Sequence, residues 1–192
     1  MKRLILVTSP PASGKTFVSQ QLAKKLPHVV YLDKDALIPL SQMIFKVAGQ
    51  EINRSSDFFE ENIRNYEYQA ILDIAFEALE YEDLVLINAP FTREVRDNNY
   101  IRDLKTKLAS RGAELILIWV VTDIEVSRRR MLARNSPRDT WKLANWDKYV
   151  AGRDYSVPDI PALSGCLVKF FNNNNVEFND SMERISKFLL EN

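Results

Sequence analysis

The chain predicts an α/β domain in which a parallel sheet carries helices on both faces. Two observations lead there. Short apolar runs alternate along the chain with stretches whose apolar residues recur at helical spacing. The runs 84–87 and 115–121 are apolar throughout rather than alternating, as strands covered on both faces must be. A third observation places chemistry on that frame. Ligands of such sheets gather at the carboxyl ends of the strands, and the first strand here runs into Ser9-Pro-Pro-Ala-Ser-Gly-Lys-Thr16.

The elements follow in order. Leu4-Ile-Leu-Val7 reads as a buried strand, and Thr16 to Leu26 as a helix with Val18, Leu22 and Leu26 on one face. His28 falls in the turn before a short second strand, Val29 to Leu32, and a partly polar helical region then runs from Ala36 to Gly49. Ser55 to Tyr81 reads as one long helix with Phe59, Ile63, Tyr66, Ala70 and Ile74 along one face. Leu84 to Ile87 is the third strand. Thr92 to Arg111 is helical, with Val95, Ile101, Leu104 and Leu108 inward and Gly112 as its stop. Leu115 to Val121 is the fourth strand and the most apolar segment. Asp123 to Asn135 and Asp139 to Val150 are helical, and Ala151 to Gly165, holding Pro158 and Pro161, is an irregular connection. Leu167 to Phe171 is the fifth strand, ended by the turn-forming run Asn172 to Asn175. Asp180-Ser-Met-Glu183 fits a capping box for a last helix carrying Met182, Ile185 and Leu189.

Composition narrows the classes. The chain has 192 residues, the size of a single domain. Its 26 basic residues balance 26 acidic ones, so no overall field draws it to nucleic acid or to a membrane surface. No stretch is long enough to span a membrane, and the first apolar run is too short for a signal peptide. The single cysteine, Cys166, excludes an internal disulfide, suits a cytoplasmic setting and reads as a small hydrophobe entering a strand. His28, the one histidine, has no companion that would make a metal site.

The segment from Ser9 to Thr16 lies between a strand and a helix, the context in which a Gly-Lys-Thr ending makes a phosphate-binding loop. Amides of Pro11-Ala-Ser-Gly-Lys-Thr-Phe17, apart from the proline, would face a nucleotide's phosphates at the helix N-terminus. Lys15 would reach the β- and γ-phosphates, and the Thr16 hydroxyl would ligate Mg2+. Ser9 stands where the usual pattern has glycine, and Pro10-Pro11 supplies part of the turn needed there.

Three further strand ends complete the expected site. After the second strand, Asp33 and Asp35 offer two carboxylates: Asp35, further out, is placed to take the acceptor hydroxyl's proton, and Asp33 to hold magnesium through water. The competing reading has Asp35 capping the next helix. After the third strand comes Asn88, which orients a water but brings no charge, followed by Arg93 and Arg96, a turn apart and suited to an anionic or sugar-like acceptor. After the fourth strand, Arg128-Arg-Arg-Met-Leu-Ala-Arg134 and Pro137-Arg138-Asp139 form the densest charge feature. Arg130 and Arg134 share a face at i,i+4, which costs stability unless an anion lies between them, and a triphosphate is such an anion. This is the pattern of a lid that closes over the phosphates. Trp141, Trp146 and Tyr149 follow it, as anchors of the lid helix or as a wall for an apolar acceptor.

The motifs at Ser9 to Thr16, Leu32-Asp-Lys-Asp-Ala-Leu37 and Arg130-Met-Leu-Ala-Arg134 resemble those of the small P-loop kinases. That AAA-type group includes gluconate-type kinases, chloramphenicol phosphotransferases, polynucleotide 5′-kinases and zeta-toxin-like proteins. The resemblance covers most of the chain and implies a five-stranded sheet of order 2-3-1-4-5, ATP and Mg2+ as cofactors, and an arginine lid. It implies Asp35 as catalytic base and a loop beyond the last strand, with Asn172 and Asn173, against the adenine. Residues 1–192 then form one kinase domain, with 36–81 an acceptor-side helical region and 127–150 the lid and following helix. The expected activity is transfer of the γ-phosphoryl group to a hydroxyl of a small molecule. A nucleic-acid end or nucleotide-sugar kinase and a regulatory NTPase without a hydroxyl acceptor are the alternatives. Nucleic acid as a partner is disfavoured by the charge balance, and the chain is expected as a monomer or homodimer. The departures from the family pattern are Ser9 and Asn88.

Overall fold

The computed structural model describes residues 1–136 and 139–191; Pro137 and Arg138, inside the basic run, lie outside the described residues. Five parallel strands form one sheet: β1 Lys2–Thr8, β2 Val29–Asp33, β3 Leu84–Asn88, β4 Ala113–Val121 and β5 Leu167–Phe171. Their order is β2-β3-β1-β4-β5, as the resemblance implied. Strand β1 explains the sandwich in four residues. Leu4 and Leu6 face one layer and Ile5 and Val7 the other, all with no exposed surface, because successive side chains of a strand point to opposite faces. The first layer is closed by α4 (Asn65–Tyr81) and α5 (Asn98–Ala109), the second by α1 (Lys15–Lys25) and α9 (Asn175–Glu191).

The helix expected over Ser55 to Tyr81 is present but built in three pieces: α3 (Asp57–Phe59), a π-helical turn (Glu60–Arg64) and α4. Phe59 and Ile63 are buried as expected, but Tyr66 is 72% exposed and Ile74 43% exposed. The buried residues are Glu67, Ile71 and Ala75 instead, each one position later. A π turn takes one residue more than an α turn, so it rotates the face of everything after it. Thr92 to Arg111 is likewise divided. A 3-10 turn (Glu94–Arg96) precedes α5, and Asp97 separates them by accepting from the amides of Asn99 and Tyr100. The inward residues are those expected. Helix α2 (Ile38–Val47) ends with the Gly49 amide on Lys46 and the Gln50 amide on Phe45, Gly49 itself being left-handed (φ 65). That double closure is a Schellman stop.

The last helix corrects the sequence reading. It begins at Asn175, so Asp180 to Glu183 lie inside it and form no cap. Asn174 does that work, its Oδ1 accepting from the Glu177 amide at 3.0 Å, and Ser181 instead receives the Phe171 amide at 3.0 Å. Between β4 and β5 come α6 (Ile124–Arg134), α7 (Thr140–Ala144) and α8 (Trp146–Ala151), so the piece expected from Asp139 to Val150 is broken at Asn145. Cys166 is buried in the first layer, and His28 occupies its turn with φ 49. Among the described residues no helix is long and apolar enough to cross a membrane.

Candidate active site

Three donors from different elements hold the Ser13 carbonyl. Asn172 Nδ2 reaches it at 2.7 Å, Thr122 Oγ1 at 2.9 Å and Arg130 Nη1 at 3.3 Å. The loop is thus fixed from β4, α6 and β5 at once. Ser9 is buried and donates its hydroxyl to the Pro10 carbonyl at 3.0 Å, and Ser13 Oγ donates to the same carbonyl at 2.8 Å. Ala12 and Gly14 are both left-handed, with φ of 64 and 84. At Gly14 the glycine is required twice over: an added Cβ would stand 2.5 Å from Asn172 Nδ2. No side chain caps α1 at Gly14, so the first amides of that helix are left for an anion. Phe17 is 55% exposed, its ring 5.3 Å from that of Phe178.

Parallel register then brings the second and third strand ends to the loop. Asn88 lies opposite Val7 on one side and Asp33 on the other. Its Oδ1 accepts from Lys15 Nζ at 2.6 Å, and its Nδ2 donates to Asp33 Oδ2 at 2.8 Å, with Thr16 Oγ1 at 3.3 Å. Ser19 Oγ adds a contact to Asn88 Oδ1 at 3.3 Å. Burial pushes the Lys15 ammonium down to about 8, although Asp33 and Asp35 pull in the other direction. Burial, with the Asp33 carboxylate beside it, likewise pushes the Tyr31 phenol up to about 12.

This corner matches what Mg2+ asks of a protein beside a triphosphate. The ion takes one or two carboxylates and keeps several waters, and the corner offers the Thr16 hydroxyl, the Asp33 carboxylate and the Asn88 amide within a single hydrogen-bonded cluster. Among the described residues no three His, Cys, Asp or Glu side chains are grouped so as to hold a metal ion, so this is no dedicated cage.

Asp33 also settles which carboxylate caps. Its Oδ1 accepts from the Asp35 amide at 3.0 Å and starts the 3-10 turn Lys34–Leu37, so the cap considered for Asp35 belongs to Asp33. The Asp35 side chain is left 63% exposed, with Lys34 Nζ 3.9 Å away.

The two arginines of the expected lid part ways. Arg130 stays at the loop, donating Nη2 to the Asn172 carbonyl at 2.7 Å, and burial together with Arg129 lowers its pKa. Arg134 turns to Asp139, with Nε at 2.9 Å, and Lys142 holds the other carboxylate oxygen at 2.9 Å. Asp139 has no exposed surface; burial favours its neutral form, but Lys142 and Arg134 outweigh that and keep its pKa below the usual range. The anion that relieves the i,i+4 repulsion at Arg134 is therefore supplied by the chain. Trp146 and Tyr149 anchor this region against Met131 and Ala12, whereas Trp141 is 56% exposed. Asn173 Oδ1 accepts from the Asp123 amide at 2.7 Å, so both asparagines beyond β5 bond the chain's own backbone.

Beside the loop lies a cavity of about 830 Å³, lined among others by Pro10, Pro11, Asp35, Arg93 and Arg96. Arg93 pairs with Glu60 at 2.8 Å and Arg96 with Asp154 at 2.9 Å, the latter over the Trp119 ring at 5.5 Å. A charge cluster not foreseen from the sequence supports the wall. Glu67, 4% exposed, receives Lys34 at 2.8 Å, a two-pronged Arg54 at 2.6 and 2.7 Å, and the Ser41 hydroxyl. Burial alone would raise its pKa, but the bonds from Arg54, Lys34 and Ser41 hold it down at about 2. The helical periodicity hid Glu67 because the π turn rotates it inward.

The AAA domain family model AAA_33 matches residues 4–154. No curated protein sequence matches the chain. Among solved structures, a protein of Chloroflexus aurantiacus J-10-fl provisionally named a kinase is similar at TM-score 0.67 and 23% identity, over 99% of this chain and 97% of that one. A gluconokinase from Sinorhizobium meliloti 1021 is similar at TM-score 0.54 and 14% identity, over 98% and 95%. A shikimate kinase from Bacteroides thetaiotaomicron is similar at 0.53 and 14%, over 100% and 99%. At these identities the likeness concerns the fold, and the family model covers most of the chain: it belongs to the AAA_33 family of AAA domains and has the fold of the small P-loop kinases.

Proposed function

We propose that the protein transfers the γ-phosphoryl group of Mg-ATP to a hydroxyl of a small-molecule acceptor. The observation that carries this reading is the position of Asp35, an exposed carboxylate in the wall of a cavity that also touches the loop prolines. Asp35 accepts the hydroxyl proton as the acceptor oxygen attacks. The loop amides, Lys15 and Arg130 hold the phosphates and meet the charge that develops on the transferred group. The ion, when bound, neutralises phosphate charge, and Thr16 with Asp33 would hold it, Asp33 through water. Residues 36–81 form the acceptor wall and 127–150 the lid, with Arg134 latched to Asp139 in the present arrangement. Arg93 and Arg96 face the acceptor from the cavity rim. A cavity of this size suits a small molecule better than a polynucleotide, which needs an open basic groove. The kinases named above lend support, since each shares this fold.

The test is ADP release with Mg-ATP across hydroxyl compounds, for the natural chain and for Asp35→Asn. An acceptor that raises turnover far above the basal rate, and loses that effect in Asp35→Asn at unchanged ATP affinity, is the expected result. Full transfer by Asp35→Asn would remove the base assignment.

A further inference from the structure

The acceptor cavity has more positive charge than its own carboxylates can neutralise at its surface. Seven cationic side chains line it against Asp35, Glu60 and Asp154. The carboxylates that position several of the cations are not in the lining but behind it. Glu67 holds Arg54 and Lys34, Glu94 holds Arg64 at 2.6 Å, and Asp139 holds Lys142; their side chains are 4%, 10% and 0% exposed. The guanidinium groups among them keep N–H donors that these carboxylates do not take. Arg54 gives two of its five donors to Glu67 and lies over the Phe59 ring at 4.5 Å. Arg64 lies over the Tyr68 ring at 4.4 Å. Such stacked, clamped guanidinium groups lose little entropy when they bind an anion.

Arg153 makes the imbalance concrete. It lines the cavity, lies over the Tyr149 ring at 4.8 Å, and among the described residues has no carboxylate within ion-pair distance. Asp35 cannot serve as its counter-charge while it receives the acceptor's proton. A neutral polyol filling this space would displace water from the cations and give them no charge in return.

We infer that the acceptor is an organic anion: a hydroxyl compound that also carries a carboxylate or phosphate group, bound by the wall arginines with Arg153 among them. This rests on the kinase reading above and adds the acceptor's chemical class. The phosphoryl oxygen end of the cavity takes the hydroxyl, and the arginine wall takes the anionic group.

The test uses matched pairs, glycerol with glycerol 3-phosphate and with glycerate, and glucose with glucose 6-phosphate and with gluconate. Binding is measured by calorimetry on the full chain saturated with magnesium and a non-hydrolysable ATP analogue, which blocks the phosphate loop. At least one charged member is expected to bind about tenfold or more tighter than its neutral partner. That advantage is expected to shrink about tenfold in Arg153→Ala, a surface change that leaves the fold intact, and to return in part in Arg153→Lys. Arg54→Gln is the second variant, with the same expectation. Charged members that bind no tighter than neutral ones, complete lack of binding included, overturn the inference, as does an advantage that survives both variants. Turnover separates the two readings. Phosphorylation of neutral members with equal efficiency keeps the kinase and removes the anion preference. Tight anion binding with no phosphoryl transfer to any member keeps the anion site and removes the kinase.

Discussion

Replacing Glu67 by Gln tests whether the cavity wall is held by one buried carboxylate. The change keeps the shape of the side chain and removes its charge, leaving Lys34, itself 3% exposed, with only the exposed Asp35 carboxylate at 3.9 Å, and Arg54 without its two-pronged partner. Breaking a buried ion pair from one side costs about 3–5 kcal/mol. The pKa gives an independent figure. Glu67 lies at about 2 in the folded protein against an ordinary 4.5, a contribution of about 3 kcal/mol. Because the folded value is the lower one, this stability is complete above pH 4.5 and is lost as the pH falls toward 2. Denaturant melts at neutral pH should therefore show Glu67→Gln about 3 kcal/mol less stable, or about 6–12 °C lower in Tm for a chain of this length. Repeated down to acid pH, the natural chain should lose the difference and converge on the variant. A loss under about 1 kcal/mol at neutral pH, or parallel acid limbs, would refute the reasoning.

Three other outcomes follow from single contacts. Gly14→Ala places a Cβ 2.5 Å from the Asn172 amide at a left-handed φ of 84, so it should cost about 1–3 kcal/mol and weaken nucleotide binding more than tenfold; calorimetric affinity equal to the natural chain's would contradict the loop geometry. Asn88→Asp sets a second carboxylate 2.8 Å from Asp33. Its thermal midpoint should drop by about 2–4 °C in chelator and recover with magnesium; identical melts in the two conditions would remove the ion from this corner. Lys15, lowered to about 8 by burial, is largely neutral above that pH in the free protein and regains its proton beside a triphosphate. ATP binding at about pH 8.5 should thus take up a proton and weaken as the pH rises further, seen as binding heats that depend on the buffer's ionisation enthalpy; buffer-independent heats would sink the idea.

Much of this molecule is legible in its sequence because the signals are local. A strand buried on both faces must be apolar throughout, so β3 and β4 announce themselves, and with β1 they fix a parallel sheet with two covered faces. A loop between strand and helix that ends Gly-Lys-Thr carries its own reason, and Gly14 stands where only glycine fits. The errors arose where a few hydrogen bonds shift a register. One π turn moved the buried face of α4 by a residue, and Asn174 rather than Asp180 started α9.

What tertiary structure alone decided is pairing. Asp33 and Asn88 are 55 residues apart in sequence, and only the β2–β3 register makes them neighbours beside the loop. Arg130 and Arg134 look equivalent in sequence, yet a buried Asp139 takes one of them away from the loop. Glu67 is an ordinary charged residue on a helix until the π turn and the packing of Lys34 and Arg54 make it the fixed point of the cavity wall. Apolar patterning specifies which faces are buried, because burial is summed over many residues and tolerates single errors. Which two charges meet depends on distances of a few ångströms across elements remote in sequence, and only the folded chain sets those.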